Sequence, residues 1–370
     1  MPFIALFSEN GKHAKLLISS LLFVVSITLI RAGSDCLSFE EVYPCFCTNY
    51  EDNSTVVTCP NIDDSLELSK VTQSLKSLLI DRFVLLNVFL EEKDEVIPLL
   101  KDQKFKITSR GMFPKKWLSE LRVRNIEIQN GNLNGYFLVE DALEGQADFL
   151  TSVIVKSSNL SGRLCSGCLP KSGTISTSTI ELRRTPLLKL IDFSYNNIDL
   201  AESASFPATL RSLDTLILSN NQINKIQDYA FSNLPQLQRV DLSKNVLTTI
   251  SRKIFIMADS KLEILDLSFN SISSLPADFF QGMNALKEVR LNDNLLETLP
   301  SSTWSKIPLS VERVDLGGNF LVCNCSMSWI TRQNLYVNME FLASCVYPKI
   351  VEFQQLTPSL ISFTNCNVRV

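Results

Sequence analysis

From Leu188 onward one eleven-residue pattern returns at an almost constant interval: apolar, two others, apolar, one, apolar, two, asparagine, one, apolar. Its copies are Leu188–Ile198, Leu213–Ile223, Leu237–Leu247, Leu262–Ile272, Leu286–Leu296 and Val311–Leu321. Their aligned asparagines are Asn196, Asn221, Asn245, Asn270, Asn294 and Asn319, at steps of 25, 24, 25, 24 and 25. Such a period constrains the chain strongly, because no single unit can bury its apolar face alone and neighbours must stack. The alternation of apolar residues predicts a short strand with one inward face. A tight turn after each strand buries backbone amides and carbonyls, which need partners. An asparagine amide donates and accepts at once, so a column of them can satisfy successive turns. Between the strands, Ile226, Phe231 and Leu234 in one unit, and Leu275, Phe279 and Met283 in another, predict an apolar lining for the outer side.

The first half of the chain carries degenerate copies. Leu150–Leu160 fits with Ser158 at the asparagine position, and Val123–Ile128 fits with Gly131 there. Phe105–Ile107 and Leu78–Ile80 predict two further strands, which place Arg110 and Phe83 at that position. Ser158 and Asn196 are 38 positions apart, too far for one regular unit and too near for two. An irregular insertion is therefore expected at 161–186. The pattern resembles the leucine-rich repeat. That resemblance implies an α/β solenoid of horseshoe form: about ten parallel short strands on the concave face, an irregular or short-helical convex side, and disulfide caps at both ends. The expected organisation is 1–34 signal peptide, 35–66 N-terminal cysteine cap, 67–321 repeats and 322–370 C-terminal cysteine cap.

Lys12 and Lys15 precede the fifteen-residue apolar run Leu16–Ile30, and Ala32 and Ser34 follow it. A basic lead, a short apolar run and small residues at alternate positions predict an export signal cleaved after Ser34. An uncleaved signal anchor is the competing reading. The run is shorter than the ~20 residues that span a bilayer comfortably, and the mature chain is expected to have no membrane span. All ten cysteines follow the signal, as suits an oxidising compartment. The triplets Asn53-Ser-Thr55, Asn159-Leu-Ser161 and Asn324-Cys-Ser326 are candidate glycosylation sites. The cysteines divide into Cys36, Cys45, Cys47 and Cys59 before the repeats, Cys323, Cys325, Cys345 and Cys366 after them, and Cys165 with Cys168 in the insertion. Spacing alone leaves three pairings open for each set of four. For Cys165-Ser-Gly-Cys168 a small structural disulfide competes with a redox pair, and the loop context favours the former.

His13 is the only histidine and lies in the removable segment. A Ser-His-Asp triad, a Cys-His dyad and a His-ligated metal are thereby excluded from the mature chain. A net charge of −4 argues against nucleic acid as a partner. No phosphate-binding loop or nucleophile elbow occurs, so no cofactor is expected. One column on the inner face, Asp192, Asp241, Asp266 and Asp315, suggests a carboxylate pair or a cation site. Asp-Leu-Ser is, however, ordinary wording for this repeat, and Ile217 and Arg290 interrupt the column. A docking surface for a protein partner is the preferred reading of that face. Its candidates are Tyr195, Ile217, Asp241, Lys244, Asp266, Phe269 and Arg290, since aromatic residues and Arg are enriched at interface centres. Oligomeric state is left open.

The eight-residue gap from Cys36 to Cys45, the motif Cys45-Phe-Cys47, the long step to Cys59, the degenerate early repeats and the C-terminal cap carry a second resemblance. The chain is similar to secreted arthropod leucine-rich-repeat proteins, among them the group that holds the non-catalytic subunit of shrimp (Oplophorus) luciferin 2-monooxygenase. The resemblance implies pairings Cys36–Cys47, Cys45–Cys59, Cys323–Cys345 and Cys325–Cys366. It implies a non-enzymatic, protein-binding role, with a stabilising subunit of a secreted enzyme complex, or a matrix, adhesion or immune recognition protein, as alternatives.

Overall fold

A computed structural model describes residues 36–347, apart from 77, 91–92, 100–102, 110–115, 134–142, 166–176, 180–181, 183–184, 202–205, 256–259, 323–326 and 328–338. For 93–99, 103–109, 163–165, 177–179 and 346–347 it describes the backbone alone. Its main element is a twelve-stranded sheet whose strands stack in sequence order. They are β1 Phe46–Asn49, β2 Thr55–Pro60, β3 Leu79–Leu86, β4 Arg122–Gln129, β5 Ser152–Lys156, β6 Leu190–Asp192, β7 Thr215–Ile217, β8 Arg239–Asp241, β9 Ile264–Asp266, β10 Glu288–Arg290, β11 Arg313–Asp315 and β12 Glu340–Leu342. The pair β1–β2 is antiparallel. From β2 to β12 every pairing is parallel, and one inward residue per strand stays in register, from Ile126 through Val153, Ile191, Leu216, Val240, Leu265 and Val289 to Val314. All of these are fully buried, as are the second inward residues Phe193, Leu218, Leu242, Leu267, Leu291 and Leu316.

The ladder forms at every regular repeat. Asn245 Nδ2 donates to Leu218 O at 3.0 Å in the preceding unit and to Leu242 O at 3.0 Å in its own. Its Oδ1 accepts from Ile223 N at 2.9 Å. Asn221, Asn270, Asn294 and Asn319 repeat this geometry. Asn196 Oδ1 accepts from both Ser158 N and Leu160 N, because the preceding unit it faces is irregular. Ser158 does the same work with a hydroxyl, accepting from Gly131 N at 3.2 Å and donating to Lys156 O at 2.7 Å. Outside the strands, Phe206, Phe231 and Phe255 form a column of mutually tilted rings with centroids 5.8 and 5.9 Å apart. Phe279, Phe280, Trp304 and Phe341 continue an aromatic lining toward the last strand. Ile226, Leu234, Leu275 and Met283 are buried beside them.

Two sequence expectations change. Phe105–Ile107 lies in the strand Gln103–Ser109, which pairs antiparallel with Lys93–Leu99 as a separate two-stranded sheet and does not join the array. Phe83 is not at the turn but in the middle of β3, fully buried and opposite Ile126; Val88 holds the asparagine position. Arg110 lies outside the described residues. An alternating run supports two registers that differ in which residues face inward, and without an asparagine nothing local selects one. Among the described residues eleven strands run parallel in the main sheet, in line with the expected ten or so; β2 of the cap and β12 beyond the last repeat both belong to it. The insertion is one enlarged unit: β5 pairs directly with β6. Its extra backbone strands Ser161–Cys165 and Thr177–Thr179 join Asn197–Ala201 and Lys225–Ile226 in a second, four-stranded sheet.

At the N-terminal end a four-residue helix α1, Phe39–Val42, is closed by Glu41, whose carboxylate accepts from Ser38 N and Ser38 Oγ at 2.8 Å each. These bonds hold the Glu41 carboxyl below the ordinary glutamate range. Disulfides Cys36–Cys47 and Cys45–Cys59 tie α1 and β1 to β2. Helix α2, Ser65–Leu75, is capped by Asp64 and buries Leu68, Val71 and Leu75 over the end of the core. Cys45 and Cys59 are fully buried against that core. Replacing both by Ala is expected to cost about 2–3 kcal/mol, from loop closure in the unfolded chain, read as a lower denaturant midpoint. Cys345 is disulfide-bonded. Cys168, Cys323, Cys325 and Cys366 lie outside the described residues, and of Cys165 only the backbone is described.

Candidate partner-binding face

The sheet's exposed face presents two residues per strand, one on each side of the inward residue. In one row Asp192, Ile217, Asp241, Asp266, Arg290 and Asp315 stand in register. The four aspartates share one bond that sequence reasoning did not foresee. Each Oδ1 accepts from the backbone N–H two residues on, at Ser194, Ser243, Ser268 and Gly317, all at 3.0 Å. Ser243 and Ser268 add hydroxyl donations to the same oxygens. The carboxylates thus close the turn that leads to the ladder, the same local pairing that makes aspartate a turn residue. Three second oxygens are neutralised: Asp192 by Lys156 at 2.8 Å, Asp266 by Arg290 at 3.2 Å, and Asp315 by Arg313 at 3.9 Å. Among the described residues no group of three or more His, Cys, Asp or Glu is placed to hold a metal ion.

Toward the C-terminal strands the charges form a connected net. Arg290 reaches Glu288 at 2.8 Å, and Arg313 reaches Glu288 at 3.5 Å and Glu340 at 2.7 Å. Lys287 pairs with Glu263 at 2.8 Å, a hydrogen bond that raises its pKa. The Arg290 guanidinium is likewise held above its ordinary value, by the hydrogen bond to Glu288 first and by the charges of Glu288 and Asp266. Glu263, Lys287, Glu288, Arg313 and Glu340, together with Ile264 and Glu312, line a shallow depression of about 440 Å³.

The remaining sequence candidates fall on a different surface. The residue just before each ladder position takes a left-handed backbone conformation throughout: Asn87, Asn130, Ser157, Tyr195, Asn220, Lys244, Phe269 and Asp293, with φ of 49° to 59°, and then Gly318 at 70°. Asparagine, aspartate and glycine tolerate this region, whereas a bulky side chain there costs roughly 1–2 kcal/mol. Tyr195 and Phe269 sit in it while 55% and 48% exposed, so no burial offsets the cost. Lys244 Nζ lies 5.5 Å from the centroid of the Phe269 ring. Ile217, Asp241, Asp266 and Arg290 therefore belong to the strand face, and Tyr195, Lys244 and Phe269 to the lip where the strands turn over.

Sequence reasoning missed the second row of that lip, the residue just after each ladder position. In the earlier units it is an amide chain on the surface: Asn159 donates to Asn132 at 2.9 Å, Asn197 to Asn159 at 2.7 Å and Gln222 to Asn197 at 3.2 Å. In the later units it turns apolar, with Val246, Leu295 and Phe320 about half exposed and Ser271 between them. The step of 24 or 25 residues that locates the asparagines locates this row as well; its change of character was the available signal. Of the glycosylation triplets, Asn53 is exposed in the β1–β2 turn and Asn159 is exposed within the amide chain. Asn324 lies outside the described residues.

A family model for the leucine rich repeat matches residues 211–256 and 260–321, the stretch that holds the regular ladder. The fold is a leucine-rich-repeat solenoid. Curated relatives of the solenoid include amphoterin-induced protein 2 of mouse, 31% identical over 91 residues, which are 23% of this chain and 18% of that protein. The human protein of the same name is 34% identical over 80 residues, 20% of this chain and 15% of its own length. The match thus spans less than a fifth of these relatives. Among solved structures, a chain from the octameric complex of latrophilin 3, Unc5D and FLRT2 (LRR) aligns over 80% of this chain and 85% of its own, with TM-score 0.52 and 19% identity. That likeness concerns the fold. No helix among the described residues is long and apolar enough to cross a membrane.

Proposed function

We propose that this chain is a secreted, non-enzymatic module that binds a protein partner through the exposed, concave face of its sheet and the adjoining lip. The observation that carries the reading is Tyr195 and Phe269: aromatic residues held exposed in a left-handed backbone conformation that several other units give to asparagine, aspartate or glycine. Folding alone favours asparagine there, so the aromatics cost stability that a docking partner repays by burying them. Arg290, Asp241 and Ile217 supply a polar and aliphatic floor beside them, with the buried Asp266 fixing Arg290 from beneath, and Val246, Leu295 and Phe320 extend the apolar rim. The carboxylates of the face are spent on turns and ion pairs, which supports a surface that recognises and does not react. Export of residues 35–370 after removal of the leader, with glycosylation at Asn53, is part of the same reading and accords with the disulfides at the N-terminal end.

The Cys36–Cys45 spacing supports a narrower version, in which the partner is a secreted enzyme that the solenoid stabilises. Adhesion or immune recognition would use the same face.

The test is Tyr195→Asn/Phe269→Asp, with aspartate chosen at 269 because it already holds the equivalent left-handed position at Asp293 and because asparagine before Asn270-Ser271 would create a glycosylation triplet. Its thermal midpoint should be unchanged or a few degrees higher, since two strained positions are relaxed. Capture of the native partner, crosslinked in the medium of the producing cells, should fall on the order of 30-fold or more. Tyr229→Asn is a matched control: Tyr229 is also exposed and left-handed, at φ 68°, but lies in the return segment behind the strands. Equal losses for both variants would overturn the reading.

A further inference from the structure

Phe39, Tyr43 and Phe46 form a cluster on the N-terminal cap, away from the lip. Phe39 stacks on Phe46 with ring centroids 5.0 Å apart and an interplanar angle of 21°, and Tyr43 meets Phe39 edge-on at 5.5 Å. Despite these contacts they are 47%, 63% and 50% exposed, so the cluster is packed against itself and open to solvent. It is also held in place. The Ser38–Glu41 bonds close α1, and the two disulfides fasten α1 and β1 to the array. A rigid, preformed aromatic cluster is what a binding anchor requires, because little side-chain entropy remains to be lost on docking. β1 is the terminal strand of the sheet among the described residues.

Charge identifies the occupant. Residues 35–69 contain eight acidic side chains and not one Lys or Arg. Residues 35–370 as a whole carry 32 basic and 38 acidic side chains, so this end holds more than the entire net charge. Glu40, Glu41, Glu51 and Asp52 are all exposed around the hairpin and α1. Hydrogen bonds from Ser38 and Ser54 keep Glu41 and Asp52 below the ordinary carboxyl range, so both stay ionised into acid. An acidic rim repels a second copy of the same end, and it repels an anionic membrane surface equally. It attracts a cation, and open aromatic faces favour the planar, weakly hydrated guanidinium over a compact ammonium.

We propose that the N-terminal cap is a second docking site, distinct from the concave face, in which Phe39, Tyr43 and Phe46 with Glu40 and Glu41 take an arginine-bearing segment of a protein partner. Steering by the acidic rim makes the affinity fall as salt rises, over the range where screening lengths shrink from about 10 Å to 3 Å.

The experiment uses the exported chain and three capped peptides of equal length, repeats of Gly-Arg, Gly-Lys and Gly-Glu, titrated by calorimetry at low and moderate salt. The Gly-Arg peptide should bind several-fold more tightly than Gly-Lys, and Gly-Glu should not bind. Phe39→Ser/Phe46→Ser and Glu40→Gln/Glu41→Gln should each weaken Gly-Arg binding roughly tenfold, while Phe269→Ser on the lip should leave it unchanged. Tyr43→Ala, at the most exposed ring, gives the same readout if the Phe pair is needed for folding. Equal binding of Gly-Arg and Gly-Lys, or binding untouched by the cap variants, overturns the proposal. Concentration-dependent sedimentation that the Phe39→Ser/Phe46→Ser variant abolishes would also overturn it, by naming a second copy as the occupant. Because the lip variant is neutral in this assay, the result stands apart from the fate of the concave-face reading.

Discussion

Asn245→Ala is expected to lower stability by about 3 kcal/mol, although the residue touches no partner and carries no charge. The substitution leaves Ile223 N–H without its acceptor and withdraws a donor shared by Leu218 O and Leu242 O, all inside the core. A buried donor left unmade costs roughly 1–3 kcal/mol, and the carbonyls add to it. Leu218, Leu242 and Leu247 beside Asn245 are fully buried. Gln222→Ala is the contrast: it removes an amide whose hydrogen bond to Asn197 is exposed, and should cost a few tenths of a kcal/mol. Urea unfolding followed by circular dichroism checks the pair. A midpoint shift for Asn245→Ala no larger than for Gln222→Ala would contradict the ladder's role. Units in such an array couple mainly to neighbours, so a broadened transition for Asn245→Ala is also expected.

Phe231→Ala is expected to cost as much or more, about 3–5 kcal/mol. The ring is fully buried and sits between Phe206 and Phe255 with centroids 5.8 and 5.9 Å away. Its removal opens a void in the middle of a column, where neither neighbour can close in without leaving its own unit. Phe231→Leu restores much of the volume and should cost closer to 1–1.5 kcal/mol. The lip gives the opposite sign for the same residue type. Phe269→Asp should be neutral or mildly stabilising, because that ring is exposed and its backbone is left-handed. Differential scanning calorimetry of the three variants separates these outcomes, and a stability loss for Phe269→Asp near that of Phe231→Ala would remove the basis for reading the lip as a docking surface.

The two phenylalanines show how far the sequence can be read. Phe231 falls at a fixed distance from Leu237 and Asn245, and the period alone assigns it to the outer lining. Phe269 is placed by the same period, yet its left-handed backbone is not visible in the letters, since Asn220 and Phe269 occupy equivalent positions. The aspartate row behaves in the same way. Its position was legible, but the bonds to Ser243 N and Ser268 N that commit it to the turns belong to the folded backbone. Phe83 and Phe105 mark the limit on the N-terminal side. There the alternation persists without an asparagine to pin its phase, and apolar residues alone support more than one register.

What the sequence by itself determined is the array: its period, the strand and turn in each regular unit, the ladder asparagines and the aromatic lining. These are local demands repeated at fixed spacing, and a buried turn can be satisfied by few side chains. Only the tertiary structure decided which residues are spent and which are open. It assigned the aspartates to turn closure and left Val246, Leu295 and Phe320 half exposed. It also left the rings of Phe39, Tyr43 and Phe46 exposed beside an acidic rim. Exposure and pairing arise between units that are distant in sequence, where no local periodicity carries the information.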